Sequence, residues 1–221
     1  MKKSQRYDTS HLTETQFELG SRGRVLKNLL HITRMRDMDV AEAERYALSV
    51  PVLAAGFERS HRFSAADVCK MHRIWLGKIY SWAGQYRLVN ISKDGFPFAA
   101  ARQIPKLMQE FENSALHKYT PCLFGAEDEI VTALAVVHTE LMLIHPFREG
   151  NGRVGRLLAM LMAFQAGLPG LDFTGIRGKK KKEYFAAVQA GAGRDYRPME
   201  RIFSEVLLRT RRTLGGQRHG P

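Results

Sequence analysis

The sequence predicts a mainly α-helical bundle interrupted by one β-hairpin, and three observations carry that expectation. Apolar residues recur at steps of three and four through most of the chain, the spacing that gathers them on one helix face. Residues 88 to 98 trade that period for alternation around an Asp94-Gly95 pair, a hairpin signal. The 221 residues are 44% hydrophobic, enough to build a core in one domain of ordinary size.

Taken in order, residues 1–23 hold no sustained period and are expected to form an N-terminal arm laid over the domain. Val25, Leu26, Leu29, Leu30 and Ile32 predict a first helix from Arg24 onward. Asp39 with Glu42 three residues on reads as the cap of a second, running through Ala41 to Leu53 and trimmed by Pro51. Ser64 followed by Asp67 opens a third, with Val68, Met71, Trp75 and Ile79 on one face; Met71, His72 and Trp75 read as core and helix surface. The extended segment after Ile79-Tyr-Ser-Trp-Ala-Gly-Gln-Tyr-Arg87 places Asn90, Ile91, Ser92, Lys93, Asp94, Gly95 and Phe96 in a hairpin that continues to Phe98, and Pro97 confines its second arm to an edge.

Helical spacing returns over residues 102–117 through Ile104, Leu107, Met108, Phe111 and Leu116, and Pro121 to Gly125 read as a link. Ile130, Leu134, Val137, Leu141 and Ile144 then form an apolar stripe that ends at His145, because a proline disfavours the helical region for the residue before it. Another helix is expected from Arg153 to Phe164, a short one from Tyr184 to Ala190, and a last one from Met199 to Thr213. Residues 213–221 read as a basic disordered tail.

Lys and Arg total 34 against 22 acidic residues, a net charge of +12 that favours an acidic partner: a nucleotide, a nucleic acid or an acidic protein surface. A basic helical nucleic-acid-binding domain is therefore an alternative, although no recognition-helix, zinc or stacking motif supports it. Lys179 to Lys182 reads as a solvated charge run. Cys69 and Cys122 form neither a metal-type pair nor a disulfide framework, no signal peptide is visible, and the apolar run Leu157 to Phe164 is too short to span a bilayer. The expectation is a cytoplasmic protein that does not enter membranes.

One stretch concentrates chemistry: His145-Pro-Phe-Arg-Glu149-Gly-Asn151-Gly-Arg153-Val-Gly-Arg156. Two glycines flank Asn151, so backbone N–H groups can turn inward and lead into a helix N-terminus, a ready anion site. Arg153 and Arg156, spaced i, i+3, sit against the positive end of the helix dipole, a conflict that a bound polyanion such as a triphosphate would relieve. Glu149 among these donors calls for a divalent cation such as Mg²⁺ between carboxylate and phosphate. His145, titrating near neutral pH, is the candidate general base.

These residues resemble the signature of the Fic family: His145, Phe147, Glu149, Gly150, Asn151, Gly152, Arg153 and Arg156 fill every position of its active-site loop. A chance match anywhere in the chain is on the order of 10⁻⁸. The resemblance covers roughly residues 24–212 and implies a Fic-type helical bundle with a hairpin flap. It implies transfer of AMP from ATP, with Mg²⁺, to a Tyr, Thr or Ser hydroxyl of a target protein, releasing pyrophosphate. His145 would take the hydroxyl proton and Glu149 would hold Mg²⁺. The Gly150–Gly152 backbone and Asn151 would bind the α-phosphate, Arg153 and Arg156 the β- and γ-phosphates. Tyr184 matches an aromatic that packs on the adenine, and Gly191 falls where some relatives carry a polar adenine contact. The flap from Asn90 through Phe96 would dock the target, and Phe147 would anchor the loop from beneath.

Many Fic proteins are restrained by a glutamate from a Ser/Thr-x-x-x-Glu-Gly/Asn helix. The nearest candidate here, Ser10 with Glu14, is followed by Thr15. A separate small antitoxin-like partner that supplies the glutamate to a toxin-like enzyme is the expectation that follows. Relatives also transfer UMP, phosphocholine or phosphate, and on the sequence those donors remain open.

Overall fold

The fold is built around a helix with no polar face. In the computed structural model, which describes residue 9 and residues 11–217 with side chains to residue 213, α5 (Glu127–Ile144) buries Ile130, Leu134, Val137, Leu141 and also Val131, Ala135, His138 and Met142. A helix with no exposed residue after its first turn belongs in the middle of a bundle. Before it come α1 (Met35–Gly56), α2 (Ala65–Leu76), α3 (Ile104–Phe111) and the short α4 (His117–Tyr119), joined to α3 by a π-helical stretch, Glu112–Leu116. After it come α6 (Asn151–Gln165), α7 (Gly178–Ala190) and α8 (Arg197–Gln217). Helix α5 packs on α6, α8, α7 and α3, while α1 and α2 close over α6. Among the described residues, no helix is long and apolar enough to cross a membrane.

The Ser64 capping box forms as expected: its hydroxyl accepts from Asp67 N–H while Asp67 takes the Ser64 N–H, a cap worth about 1 kcal/mol. The hairpin also forms, with β1 (Ser92–Lys93) antiparallel to β2 (Phe96–Pro97) and Ser92 opposite Pro97. Asp94 at φ 49° and Gly95 at φ 81° supply the two left-handed residues of a tight turn.

Three expectations fail for identifiable reasons. Residues 24–32 are not helical, since Asn28 competes for the backbone: its Oδ1 accepts from Leu30 and Ile32 N–H and its Nδ2 donates to Leu26 and Ile32 carbonyls. Leu26 instead pairs across to Phe17 in an isolated β-bridge. The expected Asp39–Glu42 cap is not used either. Helix α1 begins at Met35, puts Glu42 into the interior at 4% exposure, and runs through Pro51 to Gly56 without being trimmed. Proline at 51 is tolerated on an exposed face.

At the far end α7 begins at Gly178, so the lysine run is its first turn, and α8 runs on to Gln217, four residues past Thr213. Of the expected tail, residues 218–221 lie outside the described residues, as do residues 1–8 and Ser10 of the arm. Glu14 sits in a 3₁₀ turn and is buried, its Oε1 accepting from Leu88 N–H and its carbonyl from Arg148 Nε.

Candidate active site

The α5–α6 elbow sets the geometry of the motif. Helix α5 ends as His145 turns left-handed (φ 52°, ψ 60°), an uncommon conformation for a residue with a Cβ. The carbonyls orphaned at that end are all taken up. Leu141 O accepts from His145 N–H, Leu143 O from Ala99 N–H, and Pro146 O from Arg87 N–H. The Arg87 guanidinium takes Ile144 O and His145 O.

Met142 O lies 3.1 Å from His145 Nδ1. A carbonyl can only accept, so Nδ1 carries the proton and the Nε2 lone pair is left free. Burial pushes the His145 pKa down to about 4; the Met142 carbonyl opposes this, and the charges of Arg87 and Lys93 reinforce it. The imidazole is thus neutral at pH 7. Phe98, just beyond the hairpin, stacks on it at 3.7 Å between centroids and 13° between planes.

Phe147 points inward, fully buried and stacked at 3.9 Å on His72. Burying a phenylalanine contributes about 2–3 kcal/mol toward holding the loop down. Asn151 braces the same residue, accepting from Phe147 N–H at 2.8 Å and donating to Phe147 O at 2.7 Å. Both the oxygen and the nitrogen of the Asn151 amide thus brace the loop. What residues 151 and 152 offer an anion is their N–H groups in the first turn of α6, which have no helical carbonyl to bond. Gly150 stands at φ 84°, and a Cβ there would meet the Trp75 ring at 2.7 Å, so glycine is required twice over.

The motif faces a cavity of about 400 Å³ lined by Lys93, His145, Arg148, Glu149, Gly150, Asn151, Gly152, Arg153, Arg156, Ile176, Lys181, Tyr184 and Phe185, among others. Five cations face one carboxylate there. Arg153 is paired: its Nη2 lies 2.6 Å from Glu42 Oε2, with the guanidinium 4.5 Å above Trp75. Arg156 donates to Gly152 O from Nε, and its guanidinium lies 6.0 Å from the Phe173 ring. Glu149 is half exposed, with Oε1 on Gly150 N–H. Among the described residues no three metal-ligating side chains gather. A single open carboxylate fits a cation shared with substrate phosphates.

Tyr184 also lines the cavity, its hydroxyl 2.7 Å from His138 Nε2. Gly191 is not among the residues lining the cavity, and a Cβ on it would meet Thr139 Cγ2 at 2.1 Å. Of the expected flap, Lys93 alone borders the cavity, and its ammonium sits 4.1 Å over the Phe185 ring on α7. Asn90 braces the hairpin base by accepting from Ala101 N–H. Ile91, Ser92, Asp94, Gly95 and Phe96 are not among the residues lining the cavity.

Sequence reasoning passed over four residues that hold this site. Glu42 looked like a cap and is the buried partner of Arg153 and of the Tyr80 hydroxyl. His72 looked like core, and it is, but its Nδ1 accepts from Gly84 N–H, which leaves Nε2–H to donate to Glu149 O. Arg87 and Phe98 carried no signal beyond their nearness to the hairpin.

Residues 52–163 match the Fic/DOC family model. The "Probable protein adenylyltransferase Fic" of Escherichia coli strain K12 is 30% identical over 189 residues, covering 83% of this chain and 88% of that protein. The N-terminal Fic domain of a Bartonella quintana cell filamentation protein, solved with bound ADP, superposes with a TM-score of 0.68 at 26% identity, covering 89% of this chain and 95% of that one. BepC of Bartonella tribocorum, solved with AMPPNP, shares the fold with a TM-score of 0.67 at 24% identity over 89% of this chain and 97% of its own. With the family model matched over these residues and a relative 30% identical across most of both chains, the chain belongs to the Fic/DOC family.

Proposed function

We propose that the protein is a protein adenylyltransferase that moves AMP from ATP to a Tyr, Thr or Ser hydroxyl of a target protein. One observation carries the reading: a neutral His145, its Nε2 left free by the Nδ1 bond, lines the same cavity as a helix N-terminus and Arg148, Arg153 and Arg156. His145 takes the proton of the incoming hydroxyl, the oxygen forms a bond to the α-phosphorus, and the bond from that phosphorus to the β-phosphate bridging oxygen breaks. Pyrophosphate leaves with the electron pair. Charge developing on the α-phosphate oxygens meets the Asn151 and Gly152 N–H groups, dipoles already aimed and costing no reorganisation. Arg156, with Arg153 beside it, holds the outer phosphates. Glu149 is the carboxylate that would hold Mg²⁺ with the phosphates, and that ion would offset charge on the departing pyrophosphate. Tyr184 forms the wall on which the adenine packs, and the hairpin from Asn90 to Phe96 presents the target.

The donor assignment is supported by the ADP of the Bartonella quintana relative and by the name of the Escherichia coli one. The restraint on the enzyme is a separate antitoxin-like protein whose glutamate would reach Arg156. Glu14, the residue nearest to an internal inhibitor, is instead committed to Leu88.

Incubation with α-labelled ATP, Mg²⁺ and a lysate, beside His145→Ala, tests this. Label on discrete protein bands that disappears in the variant is expected. ATP binding without transfer of α-label, or label transferred from a γ-labelled donor, overturns the adenylyl assignment.

A further inference from the structure

Arg87 is 1% exposed, one of the largest fully buried side chains in the protein. A buried guanidinium is costly unless its donors are satisfied. Here they are turned to carbonyl oxygens. Nε donates to His145 O at 2.8 Å, Nη1 to Val89 O at 2.6 Å, and Nη2 to Ala99 O at 2.6 Å and more distantly to Ile144 O at 3.4 Å. Its backbone N–H completes the set on Pro146 O at 2.9 Å.

The four side-chain acceptors belong to three segments: the end of α5, the chain entering the hairpin and the chain leaving it. A cation is at home there, against the negative end of the α5 dipole. Glu14, whose charge opposes the effect of burial on Arg87, has its Oε1 committed to Leu88 N–H. Among the described residues no carboxylate forms an ion pair with Arg87. The guanidinium is held by the backbone it organises.

The His145 ring is the part of this arrangement that chemistry uses. Its left-handed backbone aims Nδ1 at Met142 O and lays the ring on Phe98. Nothing in a lone histidine before a proline prefers that conformation. The bonds to residues 144, 145 and 146 all come from Arg87.

We propose that Arg87 is a positioning residue, fixing the conformation of His145 that leaves Nε2 free and fixing both arms of the hairpin to that base. The proposal rests on the reading of His145 as the general base. A planar fork with donors along two edges can serve three segments at once, whereas an ammonium on a flexible stem cannot.

The test is Arg87→Lys, which keeps the charge and removes the fork. Steady-state transfer of AMP, ATP affinity by calorimetry and ¹⁵N NMR of the His145 imidazole are measured on both proteins. Expected are a kcat at least tenfold lower, ATP affinity within twofold of wild type, and His145 shifted from the Nδ1–H form to a mixture of tautomers. A folded variant with unchanged kcat overturns the proposal. So does one in which kcat, ATP affinity and thermal stability fall together while the tautomer stays put, the pattern of a merely structural residue. If the variant does not fold, wild type decides: a proton on Nε2 at pH 7, or rapid hydrogen exchange at the Arg87 and Ala99 amides, contradicts it. Wild type that transfers no AMP would sink the adenylyl reading alone, since the tautomer comparison still judges Arg87.

Discussion

The elbow between α5 and α6 and the hairpin beside it are built to opposite specifications. In the elbow each carbonyl from Leu141 to Pro146 has a donor, Phe147 is fully buried, and Asn151 is bonded at both ends of its amide. The hairpin pairs two residues with two, both residues of β1 are exposed, and Lys93 over Phe185 ties it to α7. The difference teaches where precision is needed. On the proposed reading the elbow holds a base and a phosphate cradle, which lose rate steeply with small misplacement, and its immobility suits that task. The hairpin, proposed to receive a segment of the target, would gain from yielding.

Removing the base should have the largest effect. His145→Ala should lower AMP transfer by about 10²–10⁴-fold while ATP still binds, because the α6 N-terminus and arginines are untouched; equal loss of ATP affinity would mean the elbow itself had collapsed. Next comes the outer clamp. Arg156→Ala removes charge-assisted bonds worth about 1.5–3 kcal/mol, so KM for ATP should rise roughly ten- to a hundredfold with kcat less affected.

Acid should separate the elbow from the hairpin by another route. His72, His138 and His145 all have pKa values pushed by burial from 6.5 down to about 4. The folded state then binds fewer protons than the unfolded chain between those values, so stability is full above pH 6.5 and lost as pH falls toward 4. Each group contributes on the order of 3 kcal/mol. Urea unfolding from pH 7 to 4.5 should show this decline, whereas a flat profile would mean that the three rings are protonated in the fold. The hairpin carries the smallest expected effect. Gly95→Ala, at φ 81°, strains the turn by about 1 kcal/mol. Transfer to a protein target should slip a few-fold, and ATP binding should not change.

How much of this could be read in advance follows from range. The motif was legible because its residues are contiguous and its glycine and proline answer local needs, a left-handed turn at Gly150 and a helix end before Pro146. The Ser64 cap and the Asp94-Gly95 turn were legible for the same reason. Glu42 and Arg87 were not, since their partners lie 111 and 58 residues away, Arg153 and the His145 carbonyl respectively. A carboxylate after Asp39 looks the same in sequence whether it caps a helix or neutralises a distant guanidinium. The failed helix over residues 24–32 belongs between these cases. Its apolar spacing was genuine, and a single asparagine with a side chain that mimics backbone bonds was enough to override it.

The lining of the cavity has one further consequence. Lys93, Arg148, Arg153, Arg156 and Lys181 face it with Glu149 as the opposing lining charge, and Glu42 offsets Arg153 from behind. Such a surface behaves as a small ion exchanger. Chloride and inorganic phosphate will occupy it in ordinary buffers, ATP must displace them, and the outgoing pyrophosphate will linger as a competitor. The apparent ATP affinity should accordingly fall with ionic strength, and turnover should slow as pyrophosphate accumulates unless something hydrolyses it.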